Sequence, residues 1–318
     1  MSLVTPADVS AATAQIAPFV RRTPLLHLPG ERLWIKPENR QPTRSFKVRG
    51  AVNAVGRLAE SGVGHVIAQS SGNHAQAVAY AAGKHGLRAT VVLPDTAPEL
   101  KVAAARRLDA EVVIAPPALR EDTCLALADR LAATVVRSDD FDIIAGHGSV
   151  GTEIGRDLSC AATILVPVCN GGLLAGIAVA AKAVDPAIRV IGVEPELAAD
   201  GLASFRSGRR TAWSVQQTYR TRADGLRAPV LGALAWEHIR RYVDDMVTVS
   251  EDSIGAAVDL LWQELEERAE PSGAVATAAY LTHRATLPAG PVVAILSGGN
   301  VAVRPDADPL AYVNSDHV

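Results

Sequence analysis

From about Val66 onward, short β-branched runs alternate with alanine-rich stretches of helical length, and this alternation constrains the chain more tightly than any other feature. Strands are predicted over 66–68, 89–93, 111–114, 134–136, 163–168, 190–193 and 292–296, and helices over 73–85, 99–108, 119–132 and 173–184. Parallel neighbours need long crossovers, so the helices are read as the crossovers of a doubly wound α/β sheet. The stretch 197–224, rich in Arg, Ser, Gly and Thr and without clear periodicity, reads as an irregular surface insertion and a candidate mobile lid.

Composition closes off several function classes. With 318 residues, 48% hydrophobic and 20% charged, the chain can bury a sizeable core as one large domain or two smaller ones. A formal charge of −3, with both signs interspersed, carries no footprint for nucleic acid. Cys124, Cys160 and Cys169 have neither metal-ligand spacing nor a disulfide framework, so a reducing, cytoplasmic setting is expected. Neither a secretory signal nor a membrane-spanning apolar run is read, and no membrane partner is expected.

Two small-residue turns stand where a predicted strand hands over to a predicted helix: Ser70-Ser71-Gly72-Asn73-His74 and Cys169-Asn170-Gly171-Gly172. Such turns aim backbone N–H groups and a helix N-terminus at one point, which suits a phosphate or a carboxylate. Small residues are also what a tight strand-to-helix connection needs on steric grounds alone, so the turns do not decide the matter by themselves. Lys47 lies in Gln41-Pro42-Thr43-Arg44-Ser45-Phe46-Lys47-Val48-Arg49-Gly50, just before the apolar helical stretch 51–58. A lysine at a helix start is either simply solvated or, with its pKa lowered by the helix field, a better amine nucleophile toward an aldehyde. Spacing alone leaves both open.

Taken in order, the motifs Arg22-Thr23-Pro24-Leu25, Lys36-Pro37-Glu38-Asn39, Ser45-Phe46-Lys47-Val48-Arg49-Gly50-Ala51, Ser70-Ser71-Gly72-Asn73-His74-Ala75-Gln76, Ala145-Gly146-His147-Gly148, Gly171-Gly172-Leu173, Gly192-Val193-Glu194-Pro195, Asp224-Gly225-Leu226, Glu270-Pro271-Ser272-Gly273-Ala274 and Ser297-Gly298-Gly299-Asn300 resemble the serine/threonine dehydratase family of fold type II pyridoxal-phosphate enzymes. That family also contains serine racemase and hydroxyaspartate dehydratases. The resemblance runs through nearly the whole chain and implies a tryptophan synthase beta-like fold: two three-layer αβα domains with the active site in their cleft. The large domain would be 1–65 and 143–318, the small one 66–142, and the assembly a homodimer.

The resemblance implies pyridoxal 5′-phosphate joined to Lys47 as a Schiff base, with Phe46 packed beside it. Asn73 would hydrogen-bond the cofactor's phenolic oxygen, the turn Cys169, Asn170, Gly171, Gly172 and Leu173 would hold its phosphate, and Ser297 would face its ring nitrogen. Ser70, Ser71, Asn73 and His74 would receive the carboxylate of a small amino-acid substrate. Lys47 would take the α-proton, and loss of the β-hydroxyl from a substrate such as threonine or serine would end in a 2-oxo acid and ammonia. Ser71 either only contacts carboxylate or exchanges a proton on the opposite face, as in relatives that racemise. Glu194, the Ala198 carbonyl and Asp200 resemble a site for Mg²⁺ or Ca²⁺; the same residues also read as a solvated acidic loop.

Two departures stand beside the cofactor: Arg44 where the family usually has glycine, and Cys169-Asn170 in place of a glycine run. They set the expectation of a specialised member acting on an unusual β-hydroxy amino acid. Only a short tail follows Ser297, so no fused regulatory domain is expected. The rival readings are an amino-acid racemase with the same cofactor and lysine, and a non-catalytic binding protein whose cofactor site has decayed.

Overall fold

The computed structural model describes residues 2–70, 72–97 and 99–301. Among them ten strands occur: β1 Leu26–His27, β2 Leu33–Pro37, β3 His65–Gln69, β4 Arg88–Pro94, β5 Glu111–Ala115, β6 Thr134–Val135, β7 Thr163–Pro167, β8 Arg189–Pro195, β9 Asp245–Val249 and β10 Val292–Leu296. The helices are α1 Pro6–Ile16, α2 Lys47–Glu60, α3 Asn73–His85, α4 Glu99–Arg107, α5 Arg120–Leu131, α6 Phe141–Asp157, α7 Gly172–Val184, α8 Asp200–Ser207, α9 Val215–Thr218, α10 Ala233–Tyr242, α11 Glu251–Leu265 and α12 Pro271–His283. The tail beyond 301 and Ser71 lie outside the described residues.

The strands form two sheets, β1-β2-β10-β7-β8-β9 and β5-β4-β3-β6. Every pairing is parallel except β1 with β2. Each sheet is covered on both faces, which the period-2 alternation of strand side chains requires. In the smaller sheet, Val66, Ala68, Val91 and Leu93 pack with α2 and α3, while Ile67 and Val92 pack with Cys124, Leu127 and Ala128 of α5. In the larger, Leu165, Ile191, Val193, Val292 and Ala294 face α12, while Ile164, Val166, Val190, Val293 and Ile295 face α7. The class is α/β with two three-layer αβα stacks.

All seven predicted strands are present, shared between the two sheets rather than forming one. β1, β2 and β9 were not anticipated. β2 carries a buried lysine, Lys36, in mid-strand and ends in proline, so its sequence lacks an apolar run. The stretch read as irregular, 197–224, contains α8 and α9, and Asp200, Ser204 and Thr218 within it are buried. These helices are too short and polar to show periodicity; a capping box between Ser214 and Gln217 starts the second.

Helix α2 is anchored by a buried ion network. Arg49 donates to Glu38 Oε2 at 2.7 Å and to Glu153 Oε1 at 2.7 Å, and Lys36 Nζ lies 2.6 Å from Glu153 Oε2. Thr23 Oγ1 donates to Glu38 Oε1 at 2.7 Å. The network joins β2, α2 and α6, so the helix that begins with Lys47 cannot slide relative to either neighbour. Gly146 and Gly176 let α2, α6 and α7 cross closely: a Cβ on Gly146 would meet the Arg49 carbonyl at 2.6 Å.

Candidate active site

Lys47 is the first residue of α2, and backbone hydrogen bonds, with Asn300 Nδ2 donating to the Thr43 carbonyl at 3.0 Å, hold the segment before it. Phe46 N–H donates to the Ser297 carbonyl at 3.1 Å, Ser45 bridges Gly298, and Gly299 N–H donates to the Arg44 carbonyl at 2.9 Å. These bonds place the lysine beside the C-terminal end of β10. Arg44 adopts a left-handed φ of 54°, so this departure from glycine keeps a backbone that glycine favours.

The Lys47 amine lies 4.8 Å from the centroid of the Phe46 ring. Burial pulls its pKa below the usual lysine value, an effect that Cys169 and Asp139 only partly oppose. His74 and His147 lie close enough to feel the lysine charge, and burial is the larger cause holding both down, His74 to about 4. His147 packs edge-on against Phe46 with centroids 4.7 Å apart. The surroundings thus favour an uncharged amine.

The two turns predicted to bind anions stand where expected. Gly171, with φ 89°, caps α7, and no side chain caps that helix, so the first-turn N–H groups lack a side-chain acceptor. A Cβ on Gly172 would meet the Ser138 carbonyl at 2.8 Å, so this turn admits no larger residue there without movement. Cys169 takes a left-handed φ of 54°, and its thiol pKa is raised by burial, with Lys47 opposing. Asn170 Nδ2 donates to Ser138 Oγ at 2.6 Å, and its carbonyl accepts from Gly232 N–H at 2.9 Å. Leu173 is buried behind the turn.

The other turn opens α3, also with no side-chain cap. Ser70 Oγ accepts from Gly72 N–H at 3.0 Å. Asn73 is tethered at both ends of its amide: Nδ2 donates to Glu270 Oε1, and Oδ1 accepts from Asn300 at 2.9 Å. One amide hydrogen of Asn73 remains for another acceptor. His74 Nε2 faces the Val136 carbonyl at 3.0 Å. A neutral ring donating there keeps Nδ1 as an acceptor, so toward a carboxylate this residue has only its backbone N–H to offer. Ser297 Oγ is 3.4 Å from the Ser272 carbonyl, a long contact that leaves the hydroxyl free to turn toward a better acceptor.

Glu194 and Asp200 lie at the end of β8 and the start of α8. Glu194 accepts N–H groups from Gly201 at 3.2 Å and Leu202 at 2.8 Å, while Asp200 Oδ2 is buried without a partner. Burial raises both carboxyls, Glu194 further through Asp200, and Asp200 to about 7. Among the described residues no group of three or more His, Cys, Asp or Glu is arranged to hold a metal. Several residues with no assigned role also flank the site. His147 and Glu270 stood inside motifs already quoted, whereas Asp139 and Lys101 carried no signal and are brought in only by the fold.

A parallel α/β architecture with a buried lysine of lowered pKa and two helices whose N-termini no side chain caps is the frame of a cofactor-imine enzyme. The chain belongs to the pyridoxal-phosphate dependent enzymes, whose family model matches residues 16–298. It is similar to L-threonine ammonia-lyase of Thermotoga maritima, 36% identical over 311 residues that cover 95% of this chain and 77% of that protein. Among solved structures, the threonine deaminase of T.th. superposes with a TM-score of 0.90 at 40% identity, covering 95% of this chain and all of that one. Maize serine racemase superposes at 0.87 and 33% identity, covering 95% of each. The residues present fit the cofactor: a buried amine of lowered pKa for its aldehyde, an uncapped glycine turn for its phosphate, a spare amide hydrogen on Asn73 and a redirectable hydroxyl on Ser297. No described helix is long and apolar enough to cross a membrane.

Proposed function

We propose that this chain is a lyase that converts a β-hydroxy L-amino acid, such as threonine or serine, to a 2-oxo acid and ammonia. The observation that carries it is Lys47: an amine whose pKa burial lowers, on a helix start fixed between the Ser297 strand end and the Arg49 network. Bound pyridoxal phosphate supplies an electron-withdrawing ring, so that the Cα–H bond of a substrate joined to it becomes acidic.

The protein does the rest. First-turn N–H groups of α7, with Cys169, Asn170, Gly171, Gly172 and Leu173, hold the cofactor phosphate dianion, and Asn73 and Ser297 fix the ring. The Ser70–His74 turn receives the substrate carboxylate through N–H groups at the start of α3, with Ser71, outside the described residues, supplying its hydroxyl. With both ends of the substrate held, the Lys47 amine, its pKa lowered by burial, accepts the α-proton. The β-hydroxyl departs as water, taking up the proton that Lys47 accepted, and hydrolysis of the released enamine gives the 2-oxo acid and ammonia.

The same reading includes a homodimer in the cytoplasm, in keeping with three free cysteines. Residues 66–142 act as a small domain closing on 1–65 and 143–318, supported by the separate β3–β6 sheet. Glu194, the Ala198 carbonyl and Asp200 take a divalent cation, which Mg²⁺ or Ca²⁺ should reveal by raising the melting temperature and EDTA by lowering it. An unchanged melt with either ion removes that element.

The test is a panel of serine, threonine, phenylserine and hydroxyaspartate stereoisomers, followed together for keto acid, ammonia and chirality. Keto acid with stoichiometric ammonia is expected; inverted amino acid without keto acid would establish a racemase instead. Lys47→Ala should lose the borohydride-reducible link to the cofactor and about 10³-fold or more in kcat. Retention of that link at unchanged stoichiometry would sink the assignment.

A further inference from the structure

Lys101 is a buried cation for which the chemistry above has no use. It belongs to α4, yet its ammonium lies 2.6 Å from Asp224 Oδ2 and 3.4 Å from Glu270 Oε2, with its side chain 3% exposed. Asp224 opens a short turn at 224–226, and Glu270 is the N-cap of α12, which packs on the larger sheet. The lysine therefore ties a helix of the smaller sheet to two elements beside the larger one.

Its stem matters as much as its charge. Gly72 has φ 153° and packs so tightly on the Lys101 methylenes that a Cβ could not be accommodated. On the other side of the ammonium, Glu270 Oε1 accepts from Asn73 Nδ2, and Glu270 N–H donates to the Gly298 carbonyl at 3.1 Å. Directly or through one carboxylate, Lys101 thus reaches the carboxylate-binding turn, the amide assigned to the cofactor oxygen and the backbone next to Ser297. Burial works against the ammonium, but Glu270 and Asp224 outweigh it and raise its pKa. Without that charge the buried Glu270 carboxylate and the part-buried Asp224 carboxylate would repel each other with no cation between them.

We propose that Lys101 is a positioning residue for this reaction: clamped between Asp224 and Glu270 and pressed along Gly72, it holds Gly72 and Asn73 at a fixed offset from Lys47 and Ser297. The proposal rests on the reading of Lys47 as the cofactor-bearing lysine. Loss of the clamp frees the Asn73 amide from its place at the cofactor oxygen and loosens the N–H groups that receive the substrate carboxylate. The first effect changes the acidity of the cofactor imine, and the second raises KM more than it lowers kcat.

Lys101→Met keeps the stem and removes the charge, and Asp224→Asn removes one partner while keeping its shape. In the holoenzyme, both variants should shift the pH titration of the imine absorption band in the same direction and raise KM about tenfold, with kcat changed less than about threefold. The double variant should be no worse than the more affected single one, because the two residues act as one unit. Amide exchange in the first turn of α3, residues 74–77, should quicken about tenfold in each variant, with or without cofactor. An unshifted imine titration with unchanged KM, or additive effects in the double variant, overturns the role. If Lys101→Met does not fold, Asp224→Asn alone decides by the same readouts. A wild type with no reducible imine on Lys47 overturns the reading of Lys47 instead, and the exchange measurement then decides the clamp.

Discussion

Cys169 and Arg44 share a backbone feature that their side chains conceal. Each stands where the resembling family usually has glycine, and each keeps the left-handed φ, 54° in both cases, that glycine takes without strain. An L side chain in that region costs about 1 kcal/mol, so each of these two turns carries a strain that glycine would relieve. Cys169→Gly is therefore expected to raise the stability of the apoprotein by about 1 kcal/mol in chemical denaturation. A loss of stability instead would mean that the packing of the thiol against Lys47 and the core outweighs the strain. The departures were legible from the sequence as altered positions, but their backbone conformation was not, because an arginine or cysteine codon carries no sign of φ.

Helix α3 shows the same division at the scale of an element. Its bounds, Asn73–His85, coincide with the predicted ones, since an alanine-rich run between a glycine turn and Gly86 leaves little choice. The orientation of His74 was not legible: its ring packs inward against the Val136 carbonyl with a pKa of about 4. Its folded value lies below the ordinary 6.5, so the unfolded chain binds the proton first as pH falls. The stabilising contribution is complete above pH 6.5 and is lost as pH drops toward 4, amounting to about 3 kcal/mol at the acid end. Urea titrations of the apoprotein between pH 7 and 4 should show this slope, and His74→Gln should flatten it. An equally steep slope in the variant would assign the acid sensitivity to other groups.

Across the whole molecule, the decisive contacts join parts remote in sequence. Arg49 meets Glu38 and Glu153, Asn73 meets Glu270, and Phe46 hangs on Ser297. Arg49 is fully buried between two carboxylates, so Arg49→Met should cost about 3–5 kcal/mol by leaving Glu38 without its paired cation and Glu153 with Lys36 alone. A calorimetric melt of the apoprotein checks it, and a change below about 1 kcal/mol would show that Lys36 and water suffice as partners. Holding α2 in place is the mechanical condition for Lys47 to meet the end of β10, so fold stability and site geometry are coupled here.

By itself the sequence determined the α/β class, the positions of seven strands and four helices and the places of the two small-residue turns, because period-2 and helical patterns and small-residue turns are local properties of the chain; Lys47 was singled out by the order of motifs along the whole chain. Only the tertiary structure decided that Asn73 is tethered to Glu270 and Asn300, that burial lowers the pKa of His74 and His147 around the lysine, and that Lys101 reaches Asp224 and Glu270. Those outcomes depend on contacts between segments far apart along the chain, where burial and charge pairing, rather than any local pattern, set which groups meet.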